Sequence, residues 1–132
     1  MRWLRNALYV TAAWWAVCGV AITLIPATIL HGWFNQPPYP DYAYVRATGI
    51  LCAGMALLMV LVAQRLDDVW WWSWAFAITA AALATLAAIN AVWGRPQDAG
   101  SLLWWLFAGA NLLLTAALLL GMQAASREKP FV

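Results

Sequence analysis

Charged side chains are scarce in this sequence. Only 9% of its 132 residues are Asp, Glu, Lys or Arg, whereas 66% are hydrophobic. Soluble globular domains carry about 25% charged residues, so the composition excludes an ordinary soluble domain. The charges that are present are scattered rather than gathered in a basic block, and the formal net charge is only +2. We therefore expect no nucleic-acid partner.

Histidine and cysteine are almost absent as well. The single histidine, His31, cannot supply the two axial ligands of haem b, and no cluster of His, Cys and carboxylates completes a metal site. The two cysteines, Cys18 and Cys52, lie inside apolar stretches and form no C-x-x-C motif. If the first two spans are antiparallel, both cysteines lie near mid-membrane and could be close, but we interpret them as small apolar filler. We expect no metal and no cofactor.

Long apolar runs are what the sequence has in abundance. A membrane-spanning helix needs about 20 mostly apolar residues, and four segments meet that need. They cover about residues 6–30, 42–64, 70–93 and 101–124. The breaks between them are short and carry proline, glycine or charge, which makes consecutive helices antiparallel neighbours. The sequence therefore predicts one all-α domain over residues 1–132, an integral membrane up-down four-helix bundle.

The basic residues predict how this bundle is oriented. One side collects Arg2, Arg5, Arg65, Arg127 and Lys129, and the other has only Arg46 and Arg95. Lys and Arg are enriched in cytoplasmic loops, so we expect both termini to be cytoplasmic. Most of the eleven tryptophans fall near the predicted span ends, as is typical of indole rings at membrane interfaces.

Small residues within the spans predict where helices approach each other closely. We expect them inside the bundle or at a subunit interface. They are Gly49, Ala53, Ala77, Ala81, Thr85, Gly109, Ala117 and Gly121.

Arg46 is the one charged side chain that fits neither a terminus nor a loop. It lies about one helical turn inside the outer boundary of the second span. A charge at a helix centre costs about 2.5 to 3.5 kcal/mol on insertion scales, although an arginine near the rim can extend its guanidinium towards water. Two amides at depth, Asn90 and Asn111, also need polar partners.

These groups suggest a polar pocket that opens to the outer leaflet, lined by Arg46, Asn90 and Asn111. The candidate ligand-binding residues are Arg46, Asn90, Asn111, Asp41, Tyr42 and His31. The planar donor fork of arginine suits a phosphate or carboxylate. The structural alternative is that Arg46 pairs with Asp41 or with backbone carbonyls and fixes the Pro-rich loop, while the asparagines bridge helices.

Three features together carry a family resemblance. Pro26 lies near the end of the first span, the segment Tyr42-Ala-Tyr-Val-Arg-Ala-Thr-Gly49 opens the second with an Arg-x-x-Gly signature, and the short turn Arg65–Asp68 precedes the third. This order resembles small bacterial four-helix inner-membrane proteins of the broad DoxX-like kind. The resemblance implies a fold, a multi-pass location in the bacterial inner membrane and an accessory role beside other membrane or redox enzymes. It transfers no catalytic residue.

Three functions compete on these observations. The favoured one is a non-enzymatic membrane protein that binds a lipid, a quinone or another hydrophobic small molecule, or that serves as a subunit of a homo-oligomer or larger membrane complex. A small dimeric transporter is second, but the first span lacks the embedded glutamate typical of four-helix multidrug exporters. An integral membrane enzyme is third, because only His31 and Asp41 suit acid–base chemistry and no nucleophile pairs with them.

Overall fold

Four long helices account for most of the structure, a computed structural model that describes residues 1–94 and 96–128. All four are long and apolar enough to cross a membrane, which is typical of a multi-pass membrane protein. They cover Arg2–Leu24, Ala43–Gln64, Leu66–Gly94 and Leu102–Glu128. The first two are α1 (Arg2–Leu24) and α2 (Ala43–Gln64).

The third long helix is a composite of four pieces. They are α3 (Leu66–Val69), a 3-10 turn (Trp70–Trp72), α4 (Ser73–Ile89) and a π-helical turn (Asn90–Gly94). The fourth is α5 (Leu102–Glu128).

The first helix is shifted from the predicted span of residues 6–30. It begins at Arg2 and ends at Leu24, and a separate π-helical turn follows at Thr28–Trp33. Pro26 causes the break, since proline has no N–H to donate and disfavours helical geometry in the residue before it. Ile25 accordingly has φ −130° and ψ 53°, outside the helical region.

The N-terminus and Glu128, where the fourth long helix ends, lie at the same end of the molecule, which we call the terminal end. The N-terminal ammonium donates a hydrogen bond to Glu128, and the Arg5 guanidinium lies 3.9 Å from Asp67 in the turn between the second and third long helices. At the opposite end, which we call the distal end, the N–H of Gly100 donates to the carbonyl of Asn35 at 3.2 Å. The long helices therefore alternate in direction. Arg95 and Lys129, two of the basic residues from which the orientation was predicted, lie outside the described residues.

The helices do not pack equally against one another. α1 contacts both α2 and α5 extensively, α4 packs against α5, and α2 touches α4 only sparsely. The buried apolar cluster draws on residues 4–15, 56–66, 70–80 and 114–125. These segments belong to the terminal half of each helix, so the four helices share one core only in that half.

Glycines allow two of these helix contacts. A Cβ on Gly19 of α1 would lie 2.6 Å from the carbonyl oxygen of Gly49 on α2, and one on Gly121 of α5 would lie 2.8 Å from Cα of Leu4. Real Cβ contacts are longer than this, so only glycine lets these backbones approach so closely. The predicted roles of Gly49 and Gly121 in helix contacts are confirmed.

The other small residues of the predicted set are not all buried. Ala77 is buried, whereas Gly109 and Ala117 of α5 and Thr85 of α4 are exposed. Nothing lies within 4 Å of a Cβ built on Gly109, so this glycine makes no helix contact within the described chain. The small-residue pattern alone does not distinguish these two groups.

Candidate functional site

Arg46 lies in the first turn of α2, and its backbone N–H donates to the carbonyl of Tyr42 at 2.9 Å. The Arg46 carbonyl faces α1, where it accepts a weak hydrogen bond of 3.4 Å from the Thr23 hydroxyl. The Arg46 side chain is exposed. None of the ion pairs found within residues 1–94 and 96–128 involves it. A cation therefore stands on the exterior of an apolar helix without a carboxylate partner from the described chain.

Asp41 and Tyr42 form the start of α2. Asp41 Oδ1 accepts a hydrogen bond of 2.9 Å from the N–H of Ala43, the first helical residue, which satisfies one of the free donors at the helix N-terminus. The ring of Tyr42 meets the ring of Tyr39 edge to face, with centroids 5.8 Å apart. Asp41 thus bonds to backbone rather than to Arg46, so the predicted Arg46–Asp41 pair is absent from the described part of the chain.

His31 lies in the distal cap, formed by the π-helical turn Thr28–Trp33 and the two loops beside it. Its Nδ1 is 2.9 Å from the carbonyl oxygen of Gln36, and because a carbonyl only accepts, Nδ1 carries the proton. His31 and Asp98 line a cavity of about 300 Å³ between the two loops. His31 is exposed and opens to the exterior of the cap.

Gln36 holds this cap together, and the sequence did not single it out. Its side chain is 4% exposed. Its Nε2 donates to the carbonyl of Gly100 at 2.8 Å and to that of Phe34 at 3.1 Å. One amide therefore joins the loop after α1 to the loop before α5. A glutamine in a proline-rich loop has no sequence signature that predicts such burial.

The two deep asparagines differ in their surroundings. Asn90 opens the π-helical turn Asn90–Gly94, and its side chain packs over Gly94, where it leaves no room for a Cβ. Asn111 on α5 is completely buried, and its Nδ2 donates to the Phe107 carbonyl at 2.9 Å. The Asn111 Oδ1 has no partner among the described residues.

The six predicted site residues do not line one common cavity among those described here. His31 lines the cavity of the distal cap, Arg46 faces the exterior and Asn111 lies inside the helix packing. A role of these residues in ligand binding stays a prediction. Within the described chain, no group of three or more His, Cys, Asp and Glu side chains is placed to hold a metal ion.

A larger apolar groove lies on the side of the molecule between α1 and α5. It has a volume of about 550 Å³, and it is lined by Trp3, Asn6, Ala7, Val10, Ala117, Leu120, Gly121 and Ala124. Half of these residues are alanine or glycine, and Gly121 is where the two helices approach closely. It belongs to the terminal half of the molecule, away from Arg46.

A small cavity lies near the middle of the long helices. It has a volume of about 10 Å³ and is lined by Trp14, Trp15, Cys18, Cys52, Leu83 and Phe107. Cys18 and Cys52 both line this cavity, as the antiparallel direction of α1 and α2 allows. In the sequence, the one sign of this cavity is that Trp14, Trp15 and Cys18 lie within about one turn of α1.

Comparison with protein-family models, curated proteins and solved structures finds no match to this chain.

Proposed function

We propose that this protein is a non-enzymatic membrane protein that binds an anionic amphiphile, with Arg46 contacting the phosphate or carboxylate. One observation carries the proposal. Arg46 is an exposed cation on a membrane-spanning helix, without an ion-pair partner in the described chain. An arginine so near a helix end extends its guanidinium to the headgroup level, where an anionic headgroup supplies both a counter-charge and acceptor oxygens.

The surroundings of Arg46 support a headgroup ligand. Tyr42, one turn before Arg46, and Tyr39 form an aromatic pair at the same end of α2, and tyrosine prefers the level of lipid headgroups. Asp41 engages the backbone of Ala43 and so does not neutralise the guanidinium. The planar fork of arginine offers two parallel N–H donors to a phosphate or carboxylate.

The distribution of basic residues supports an orientation for this site. Arg2, Arg5, Arg65 and Arg127 lie at the terminal end, and Arg46 lies near the distal end. By the positive-inside rule, the terminal end is cytoplasmic and the distal cap faces the other side. In a bacterial inner membrane, Arg46 then meets lipids of the outer leaflet.

Lipid binding to matched variants tests the proposal. The wild type, Arg46→Gln, Arg46→Lys and Arg65→Gln would be placed in nanodiscs of mixed phosphatidylglycerol and phosphatidylcholine and then released into mild detergent. Native mass spectrometry counts the retained lipids and also reports the number of protein copies per complex. Arg65→Gln is the control, because this exposed arginine lies at the terminal end.

We expect the wild type to retain phosphatidylglycerol preferentially and Arg46→Gln to lose that preference by about 10- to 100-fold, the range for hydrogen bonds to a charged group. Arg46→Lys keeps part of it, since lysine retains the charge without the bidentate fork. Arg65→Gln behaves as the wild type. If phosphatidylglycerol retention is equal in Arg46→Gln and the wild type but a fatty acid binds the wild type better than Arg46→Gln, the ligand is a free amphiphile. Equal binding of both the lipid and the fatty acid by the two proteins would refute the proposal.

A further inference from the structure

The apolar groove between α1 and α5 is open to the exterior along one side. Ala7 and Gly121 form its buried floor, and its walls include the exposed residues Trp3, Val10 and Leu120. On α1 the lining extends from Trp3 to Val10, or about 10 Å along the helix axis. The hydrocarbon core is about 30 Å thick, so the groove covers much of one leaflet at the terminal end. Its length and apolar walls suit an acyl chain of that leaflet.

An arginine continues each wall of the groove towards the terminal end. Arg2 lies one turn before Asn6 on α1, and Arg127 lies two turns after Leu120 on α5. Residues at these spacings share a helix face. Both arginines are exposed, and neither belongs to an ion pair found within residues 1–94 and 96–128. Glu128 is already paired with the N-terminal ammonium, so the mouth of the groove is positively charged.

Asn6 places a polar group just inside this mouth. Its side chain is exposed and lines the groove, one turn deeper than Arg2. An amide N–H that faces hydrocarbon needs an acceptor, and a phospholipid carries ester carbonyls between its phosphate and its acyl chains. The order of arginine, amide and apolar wall along α1 therefore matches the order of phosphate, ester and acyl chain in a phospholipid.

A second copy of this chain would be a less favourable occupant of the groove. Two copies that cross the membrane in the same direction and meet at this groove would bring Arg2 and Arg127 of both copies to the same level. Juxtaposed like charges oppose such an association. The carboxylate of Glu128 is already engaged by the N-terminal ammonium, so it offers little compensation. Charge complementarity thus favours an anionic lipid.

We propose that the groove between α1 and α5 binds one anionic phospholipid of the leaflet at the terminal end. An acyl chain lies in the groove, and Arg2 and Arg127 contact the phosphate, which the planar guanidinium binds through two parallel N–H donors. Arg46 lies near the distal end and does not line this groove. The two lipid sites are therefore independent of each other.

Photolabelling from the acyl chain tests this proposal at the groove itself. The full chain in phosphatidylcholine nanodiscs would receive a trace of phosphatidylglycerol or phosphatidylcholine with a diazirine in one acyl chain, so that the two probes differ only in the headgroup. After irradiation, fragmentation mass spectrometry maps the labelled residues. We expect phosphatidylglycerol to label segments 3–10 and 117–124 about 30-fold more than phosphatidylcholine, the product of roughly fivefold for each arginine at a membrane surface.

Paired variants assign the labelling to the charges and to the groove. Arg2→Gln combined with Arg127→Gln lowers phosphatidylglycerol labelling to the phosphatidylcholine level, whereas Arg65→Gln, at the same end but on α2, leaves it unchanged. Ala117→Leu narrows the groove and reduces labelling by both lipids. Ala116→Leu is its control, because Ala116 does not line the groove. All five residues are exposed, so circular dichroism should show the helix content of the wild type in each variant.

The outcomes distinguish the lipid from other occupants and from the site at Arg46. Equal labelling of the groove by both probes would overturn the proposal, and so would a preference for phosphatidylglycerol that survives the loss of both arginines. An unlabelled groove in a protein that native mass spectrometry shows to be dimeric would overturn it in favour of a second copy. Arg46→Gln leaves the groove labelling unchanged, so a failure of the site at Arg46 would not alter this result.

Discussion

Replacing Gly49 by alanine tests the crossing on which the α1–α2 pair depends. A Cβ on Gly49 would lie 2.5 Å from the carbonyl oxygen of Gly19, and the reciprocal distance from a Cβ on Gly19 to the Gly49 carbonyl is 2.6 Å. The Thr23 hydroxyl and the Ile22 side chain also lie against the first of these Cβ atoms and can rotate away, but the Gly19 carbonyl belongs to the backbone, so no side-chain rotation relieves that overlap. The two helices must move apart, and the contacts on both sides of the crossing loosen with them.

Two opposing terms set the size of the effect. Overpacking of this kind costs about 1 to 3 kcal/mol, whereas alanine gains up to about 1 kcal/mol over glycine in helix propensity. Gly54 lies on the same helix, is exposed, and has nothing within 4 Å of its built Cβ. Gly54→Ala therefore receives the propensity gain without the overlap. The difference between the two variants isolates the overlap at about 1 to 3 kcal/mol, or roughly 5- to 150-fold in the unfolding equilibrium constant.

Reversible unfolding by SDS in mixed micelles, followed by circular dichroism, measures this difference. The double variant Gly19→Ala with Gly49→Ala adds a second check, because helices already separated by the first change lose less from the second. Its cost should be smaller than the sum of the single costs. If Gly49→Ala proves as stable as Gly54→Ala, the helices do not meet at these glycines and the reasoning is wrong.

Two further contacts give predictions with neighbouring controls. Leu118 is completely buried and Leu119 is 42% exposed. Leu118→Ala should therefore destabilise the fold by about 1 to 3 kcal/mol through lost packing, and Leu119→Ala by less than about 0.5 kcal/mol. Equal free energies of unfolding for the two variants in SDS would contradict the described core. Gln36→Ala should raise hydrogen exchange at the Gly100 N–H about fivefold, because the bond that ties the two loops is lost, while exposed Gln97→Ala leaves it unchanged. Unaltered Gly100 exchange in Gln36→Ala would show that this amide does not hold the cap.

The long helices were predictable because their signals are local. Four apolar runs of sufficient length, separated by breaks rich in proline, glycine and charge, specify four helices that can cross a membrane. Their ends were less predictable. Pro26 ends α1 six residues earlier than residue 30, and α5 continues to Glu128, which bonds the N-terminal ammonium. That ion pair joins opposite ends of the sequence, so no local pattern predicts it.

The relation between the polar residues was not predictable, because it depends on how each helix is rotated about its axis. A helix that is apolar on all sides has no sequence pattern that marks its buried face. Asn111 was expected to face inward and is buried, whereas the sequence left open whether Arg46 turns inward or extends towards water, and Arg46 is exposed. The rotation of α2 is set instead by Gly49 against Gly19. Arg46 and Cys52 each lie three positions from Gly49. The Gly19–Gly49 contact therefore also fixes the directions in which their side chains point.

This dependence determines which variants are informative about ligands. The Gly19–Gly49 crossing adjoins the Arg46 region, because the Thr23 hydroxyl of α1 contacts both the Gly19 carbonyl and the Arg46 carbonyl. A change at Gly49 displaces this region, so its effect on binding would not identify a ligand contact. The Arg46 side chain is exposed, so its replacement does not open the crossing. A loss of binding in Arg46→Gln therefore reports the guanidinium itself.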